Sequence, residues 1–239
     1  MLFHFADSSL GRLDYASLPQ QALMEMLIDG MTTNKARICG NSDESKNISE
    51  WTGVELNADG DVFEIWWNFW FLNGTLNLQW MPSTVEEFRA SGNHLGGSMD
   101  LSALPDVLIK LMLQYNKFIG TIDLTRLPAN LEELDVSFNQ LDGTLDFERL
   151  PNKLKRLDVG SNAFTGPITL TQLPARLLYL AIDKNKLSGT LDISQLSKVL
   201  QHLYINGNAF SGKYDWSALE RTLEVLRVDE KNILENDNI

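Results

Sequence analysis

The amino-acid sequence predicts an α/β solenoid, because a 23-residue unit repeats along most of the chain. Glycine recurs at this spacing without insertion or deletion, at Gly74, Gly97, Gly120, Gly143, Gly166, Gly189 and Gly212. An asparagine stands four residues before each of these glycines except Gly74. A unit this short buries its apolar side only by stacking on copies of itself, so we expect one elongated domain rather than two globular ones.

The first half of each repeat predicts a short strand followed by a turn. In residues 131–152, with Leu131 as position 1, the apolar residues Leu134 and Val136 alternate with polar ones, as on one face of a strand. Asn139 at position 9 does not continue this alternation, and its amide can bond backbone groups that a turning chain leaves unpaired. Stacked copies predict an asparagine ladder made of Asn93, Asn116, Asn139, Asn162, Asn185 and Asn208.

The second half of each repeat predicts a bend, a second strand and a brief helical turn. Gly143 at position 13 allows a tight bend with positive φ, and residues 144–147 alternate as a second, shorter strand. Serine or threonine at position 18 is expected to cap the helical turn, and a Leu-Pro pair ends it. The expected capping residues are Ser102, Thr125, Thr171, Ser194 and Ser217.

The pattern LxxLxLxxNxLxG, repeated in register, resembles the leucine-rich repeat, with about seven full copies and a partial last one over residues 62–226. The GxL or GxI step is similar to the plant-type subclass, and the Leu-Pro punctuation resembles repeats common in protist proteins. The resemblance implies a right-handed leucine-rich-repeat horseshoe with a parallel concave β-sheet and an irregular or 3-10 convex side.

We expect three segments: an N-terminal helical cap over residues 1–61, repeats over 62–228, and an acidic C-terminal tail over 229–239. Ser17-Leu18-Pro19-Gln20 predicts a helix start with a capping box, and the helix is expected to run to Gly30. Trp51-Thr52-Gly53-Val54 is similar to the cap that precedes plant-type repeats. In that family a cysteine follows this motif, whereas here Leu56 stands at its place.

Composition narrows the class of protein. The net charge of −12 disfavours general binding to nucleic acid or to anionic membranes, which requires a basic field. Cys39 is the only cysteine, so an internal disulfide is excluded. We see neither a signal peptide nor an apolar run long enough for a transmembrane helix. These observations predict an intracellular protein, cytoplasmic or organellar; the sequons at Asn47 and Asn73 are weak signals to the contrary.

No pattern in the sequence predicts catalysis, a cofactor or a metal. The histidines, His4, His94 and His202, have no ligand spacing, and phosphate-binding and nucleophile motifs are absent. Aspartate recurs at position 16, at Asp100, Asp123, Asp146, Asp192 and Asp215. This column indicates either a weak cation site, a track for a basic partner, or local hydrogen bonds to backbone N–H groups. We favour the local bonds, because no second column of ligands completes a metal shell.

Positions 3, 5, 7 and 8 are expected to face outward on the concave side, between the buried positions 4 and 6. Aromatic, methionine and arginine side chains there are typical of interface cores. The predicted protein-binding residues are Trp66, Phe69, Arg89, Lys110, Met112, Tyr115, Glu133, Asp135, Phe138, Arg156, Asp158, Tyr179, His202 and Tyr204. A second interpretation of Phe69, Tyr115 and Phe138, all at position 8, is that they fill space beside the asparagine ladder.

The sequence leaves three candidate functions. The first is a non-catalytic protein-protein interaction module or a structural subunit of a larger assembly, and the single cysteine favours it. The second is an extracellular or surface recognition protein, like a receptor ectodomain. The third, an enzyme, lacks any catalytic constellation. Five aromatic residues crowd residues 66–71, and they cannot all enter a narrow core, so we expect a docking surface near the first repeat.

Overall fold

The computed structural model describes residues 18–41, 44–194, 196–214 and 223–232, and they form a single stack of repeats. The predicted roles of Ser17, His4, Asp215 and Ser217, and most of the predicted tail, lie outside the described residues.

The larger sheet has nine strands, in the order β17-β15-β13-β11-β9-β7-β5-β3-β2. Eight of them run parallel, one from each repeat, and β2 pairs antiparallel with β3 at the N-terminal edge. Because the period never changes, each strand pairs with the residue 23 positions along, as Lys110 does with Glu133. The strands are β2 (Val54–Leu56), β3 (Val62–Trp66), β5 (Glu87–Arg89), β7 (Lys110–Met112), β9 (Glu133–Asp135), β11 (Arg156–Asp158), β13 (Tyr179–Ala181), β15 (His202–Tyr204) and β17 (Val225–Arg227).

Two smaller sheets follow the turn in each repeat, with strand orders β1-β4-β6-β8-β10 and β12-β14-β16. Their strands are β1 (Met31–Thr33), β4 (Asn73–Thr75), β6 (His94–Gly97), β8 (Lys117–Gly120), β10 (Gln140–Leu141), β12 (Thr165–Gly166), β14 (Lys186–Gly189) and β16 (Ala209–Phe210). The sequence placed this second strand too late, at residues 144–147. The strand comes before Gly143, which turns the chain with a φ of 81°, and the alternation of Leu145 and Phe147 reflects burial without strand pairing.

One hydrophobic core runs from Met24 to Phe210. The predicted asparagine ladder borders it. The Asn139 Oδ1 atom accepts a hydrogen bond from Phe118 N at 3.0 Å, and its Nδ2 atom donates to the carbonyl oxygens of Leu113 and Val136 at 3.1 and 3.0 Å. The equivalent bonds recur from Asn93 to Asn208. Each amide therefore satisfies backbone groups of its own repeat and of the preceding one.

The N-terminal cap contains helices α1 (Gln20–Leu27) and α2 (Ala36–Cys39), a 3-10 helix (Ile48–Glu50) and strand β2. Helix α1 begins after Pro19 and ends three residues before Gly30, so it is shorter than predicted. The predicted capping box cannot be compared with the structure, because Ser17 lies outside the described residues. The Gln20 side chain contacts the first repeat. Its Oε1 atom accepts from Val62 N at 2.7 Å and its Nε2 atom donates to Asp61, so it joins the cap to the first repeat.

The convex side carries short 3-10 helices at Leu78–Trp80 and Leu124–Arg126, and another follows β17 at Glu230–Asn232. The expected capping role of the position-18 hydroxyls is wrong for Thr125, the one that lies in a described 3-10 helix. Asp123 at position 16 is the capping residue: its Oδ1 atom accepts from the backbone N and the hydroxyl of Thr125 at 2.9 and 2.6 Å. Asp100 bonds Ser102 in the same way. The four described aspartates of the column, Asp100, Asp123, Asp146 and Asp192, therefore make the local hydrogen bonds that we favoured.

Candidate protein-binding surface

The strand register arranges the outward-facing side chains of the larger sheet in two columns. Position 3 gives Glu64, Glu87, Lys110, Glu133, Arg156, Tyr179 and His202, and position 5 gives Trp66, Arg89, Met112, Asp135, Asp158, Ala181 and Tyr204. All the predicted binding residues lie in these columns or at position 8. The fold thus brings them to one face, but they differ in their exposure and in whether their charges are paired.

The basic residues of the second and third repeats pair with carboxylates on the same face. Lys110 Nζ lies 3.4 Å from Glu87 Oε1 and 3.4 Å from Glu133 Oε1. The Arg89 guanidinium donates to Glu87. Burial raises the pKa of Glu87, but the hydrogen bond and charge of Arg89 and the charge of Lys110 outweigh burial, so its pKa is lowered. These charges are largely satisfied within the protein.

A second charged group spans β9, β11 and β13. Arg156 lies 3.3 Å from Asp135 and 2.9 Å from Asp158, and its guanidinium stacks 3.6 Å from the centre of the Tyr179 ring. The Tyr179 hydroxyl donates to Asp158 Oδ2 at 3.2 Å. Burial, and then the neighbouring charge of Asp135, raise the pKa of Asp158 to about 6. Burial, and then the Asp158 charge, raise the pKa of Tyr179 to about 12.

Two of the predicted contact residues are not accessible. Asp135 and Asp158 are only 3% and 8% exposed, although their position was expected to be open. The reason is that both are short side chains engaged by the longer Arg156 and, for Asp158, by Tyr179, and both bond nearby backbone N–H groups. Their carboxylates are therefore engaged inside the protein and are not available to a partner.

The exposed aromatic residues are concentrated in the first four repeats. In the described part of the chain every exposed large aromatic side chain lies between residues 66 and 138. We call this set the aromatic surface; its members are Trp66, Phe69, Phe71, Tyr115 and Phe138, which are 42–67% exposed. The rings of Tyr115 and Phe138 stack with their centres 4.2 Å apart and their planes within 12°. The position-8 aromatics are therefore not buried beside the ladder, although Tyr115 and Phe138 pack against each other.

Position 8 also adopts an unusual backbone conformation. Phe69, Tyr115 and Phe138 have φ values of 58°, 57° and 53°, in the left-handed region that bulky residues seldom occupy. The same column contains Gly92, and a Cβ atom there would lie 2.3 Å from the Phe69 ring, which therefore lies across this glycine. The glycines at positions 92 and 207 were the sequence signal for this conformation. Three aromatic residues are thus held outward at a conformational cost.

The remaining predicted residues are half-buried. Met112 lies in the centre of the sheet. Tyr179 packs near Tyr204 and His202, with ring centres 5.4 and 5.7 Å apart. His202 Nε2 lies 3.7 Å from Glu224 Oε2. The list of predicted binding residues omitted Phe71, although Phe71 is one of the five aromatics from which a docking surface near the first repeat was expected. It also omitted Glu55, which belongs to β2 of the cap and lies directly opposite Glu64 of the first repeat.

Across the described residues, no cluster of three or more metal-ligating side chains occurs. The same residues include no helix long and apolar enough to cross a membrane.

A family model described as "Leucine Rich repeat" matches residues 128–144. No curated protein matches the sequence significantly.

Solved structures share the fold at low sequence identity. The structure of a Pollen Receptor Kinase 3 is 22% identical, with a TM-score of 0.61, and the match covers 80% of this chain and 96% of that one. The BIR2 ectodomain from Arabidopsis thaliana is 19% identical, with a TM-score of 0.55, and the match covers 81% and 95% of the two chains. The repeat period, the match over residues 128–144 and the parallel strands agree on the fold: the chain folds as a leucine-rich-repeat solenoid.

Proposed function

We propose that this chain is a non-catalytic protein-binding module, alone or as a subunit of a larger assembly, and that its partner docks on the concave face and the aromatic surface. The observation that carries this proposal is the aromatic surface itself. A folded chain with a well-filled core nevertheless exposes five large aromatic residues within four neighbouring repeats. Aromatic rings supply large contact area with few rotatable bonds, and they dominate the energetics of protein interfaces.

The arrangement of charges supports the same surface. Arg89, Lys110 and Glu133 are held in a fixed network beside the exposed rings. A rigid charged border can set the register of a partner without reordering on binding. We expect no nucleic-acid partner, since the concave face contains at least as many carboxylates as basic groups.

An extracellular recognition protein is the second candidate. A structure of the GASSHO1/SCHENGEN3 ectodomain from Arabidopsis thaliana, 20% identical with a TM-score of 0.52, is in complex with CASPARIAN STRIP INTEGRITY FACTOR 2; the match covers 84% of this chain and 31% of that one. The buried, unpaired Cys39 and the Leu56 in place of a cap cysteine favour a reducing compartment, so we place the intracellular module first. A glycan on Asn47 or Asn73 of the native protein, sought by mass spectrometry, would reverse this order.

The test is a binding comparison. The native partner is isolated with the tagged wild-type protein, identified, and titrated against Trp66→Ala/Tyr115→Ala. Loss of true anchors is expected to weaken binding by about 2 kcal/mol or more, which is roughly thirtyfold. The matched control is Val107→Ala/Val199→Ala, which removes exposed apolar side chains outside the aromatic surface. Unchanged affinity for the aromatic variant together with a loss for the control would contradict the proposal.

A further inference from the structure

The concave face has an unneutralised acidic end beside the aromatic surface. Glu55 of β2 pairs directly opposite Glu64 of β3, and Glu64 pairs opposite Glu87 of β5. Like charges directly opposite each other on neighbouring strands are destabilising. Three glutamates in one row are therefore an arrangement that folding alone does not favour.

Only one of these three carboxylates is paired. Glu87 has Arg89 and Lys110, whereas in the described part of the chain no basic group forms an ion pair with Glu55 or Glu64. Burial, followed by the charges of Glu87, Glu55 and Glu86, raises the pKa of Glu64 against the opposing effect of Arg89. The nearest basic residues of this face, Arg89 and Lys110, are thus already paired with Glu87.

An exposed indole ring lies next to these carboxylates. Trp66 follows Glu64 by two residues on the same strand, so both side chains point to the concave side, about 7 Å apart along the strand. Trp66 is 52% exposed, and the Arg89 guanidinium lies 5.7 Å from the centre of its ring. The ring therefore already takes part in a cation–π contact of the kind that a partner's cation would make.

We propose that the aromatic surface binds an extended, basic segment of a protein partner, with a lysine or arginine held between Glu55 and Glu64 and against Trp66. The apolar residues of that segment then contact Phe69, Tyr115 and Phe138. Three repeat steps of about 4.8 Å separate the first and fourth repeats, so a segment of about five extended residues spans the surface. This inference rests on the proposed function and adds the chemistry of the partner.

Charge complementarity selects this occupant over a second copy of the chain. The protein has a net charge of −12, and three basic residues in the first five repeats of its concave face, Arg89, Lys110 and Arg156, are engaged with carboxylates. Among the described residues, the concave-face arginine without an ion pair is Arg227 of β17, which lies seven strands from Glu64 at the opposite edge of the sheet. Two copies that meet at their acidic ends would therefore bring Glu55 and Glu64 near further acidic groups. A basic segment brings the counter-charge that the face lacks.

The experiment uses a synthetic probe and charge-matched variants. The probe is a terminally blocked peptide of about eight residues that alternates lysine with leucine and phenylalanine, a length chosen to exceed the span of the surface. Its partner probe replaces every lysine with glutamate. Isothermal titration calorimetry at low salt compares wild type with Glu55→Gln/Glu64→Gln and with Asp142→Asn/Asp146→Asn, which makes the same charge change at exposed positions away from the concave face.

We expect the lysine peptide to bind wild type and the glutamate peptide not to bind. The Glu55→Gln/Glu64→Gln variant is expected to lose about tenfold in affinity, and the control less than about twofold. Equal losses in both variants, or equal binding of both peptides, would overturn the inference, because attraction would then be unspecific. Thermal melts check folding: removing the opposed glutamate charges is expected to leave the melting temperature at or above that of wild type.

The native partner separates this inference from the proposed function. If Trp66→Ala/Tyr115→Ala loses the partner while Glu55→Gln/Glu64→Gln keeps full affinity, the basic-segment inference is wrong and the binding module stands. If both variants keep the partner and Val107→Ala/Val199→Ala loses it, both proposals are wrong.

Discussion

At the scale of single residues, the asparagine ladder is the feature on which the stack depends. Each amide bonds backbone groups of two neighbouring repeats, and several of these residues are buried, as Asn93 and Asn116 show. A buried backbone group that loses its partner costs more than a typical hydrogen bond contributes. The aspartates on the convex side make one or two local bonds at an exposed site, so they matter less.

The first prediction compares these two kinds of residue. Asn139→Ala removes bonds to Phe118 N and to the carbonyls of Leu113 and Val136, and it is expected to lower the free energy of unfolding by about 1–3 kcal/mol. Asp146→Ala removes a 2.8 Å bond from Glu148 N at an exposed site and is expected to cost less. Urea titrations of both variants check this. Equal unfolding midpoints would contradict the prediction that the ladder amide stabilises the fold more than the convex aspartate does.

Single residues also show which structural roles could be predicted from the sequence alone. Asn139 could be assigned from its place in the period, because its partners are backbone groups that every repeat supplies. Asp158 could not, because its burial depends on Arg156 beside it and on Tyr179 one repeat later. The left-handed backbone at Phe138 was likewise hidden, since aromatic residues rarely adopt it and only the glycines in the same column indicated it.

At the scale of elements, the central strands are joined by a charged group whose protonation is linked to stability. Asp158 of β11 has a pKa of about 6 against an ordinary value of 3.8, because burial and Asp135 disfavour its charge. A carboxyl with a raised folded-state pKa holds its proton more tightly in the folded state. Its contribution to stability is therefore complete below about pH 4 and is lost as the pH rises to about 6.

The second prediction uses Asp158→Asn, which keeps the side-chain shape and cannot ionise. Relative to wild type, this variant is expected to gain stability between pH 4 and pH 7, by on the order of 2 kcal/mol. Carboxylates with lowered pKa values, such as Glu87 and Asp100, act with the opposite sign in both proteins and cancel in the difference. Urea titrations at the two pH values provide the measurement, with the exposed Asp146→Asn as control. Parallel pH profiles for Asp158→Asn and wild type would rule the linkage out.

The elements themselves were predicted unevenly. The concave strands follow from the alternation of residues such as Leu134 and Val136, which the register confirms. The second strand was misplaced because Leu145 and Phe147 alternate in the same way and are buried, yet no neighbouring backbone pairs with them as a strand. Alternation reports which side of the chain is buried, and hydrogen-bond partners come only from the stack.

At the scale of the whole molecule, one core and one period account for the architecture. Every repeat adds one strand to the larger sheet, and β2 closes its N-terminal edge with an antiparallel partner. The surface that is available to a partner is not distributed evenly over the repeats. The charged columns are largely paired internally, so the accessible part of the predicted site reduces to the aromatic surface and its acidic neighbours. That distinction required side-chain contacts, which the repeat pattern does not encode.

The central claim is that a protein partner covers the aromatic surface, and hydroxyl-radical footprinting of the complex tests it most directly, because aromatic side chains react readily when exposed. The account predicts that Trp66, Phe69 and Tyr115 lose reactivity when the native partner is bound, while the exposed Leu178 and Val199 react as in the free protein. Protection of Leu178 and Val199 with undiminished reactivity at Trp66, Phe69 and Tyr115 would contradict it.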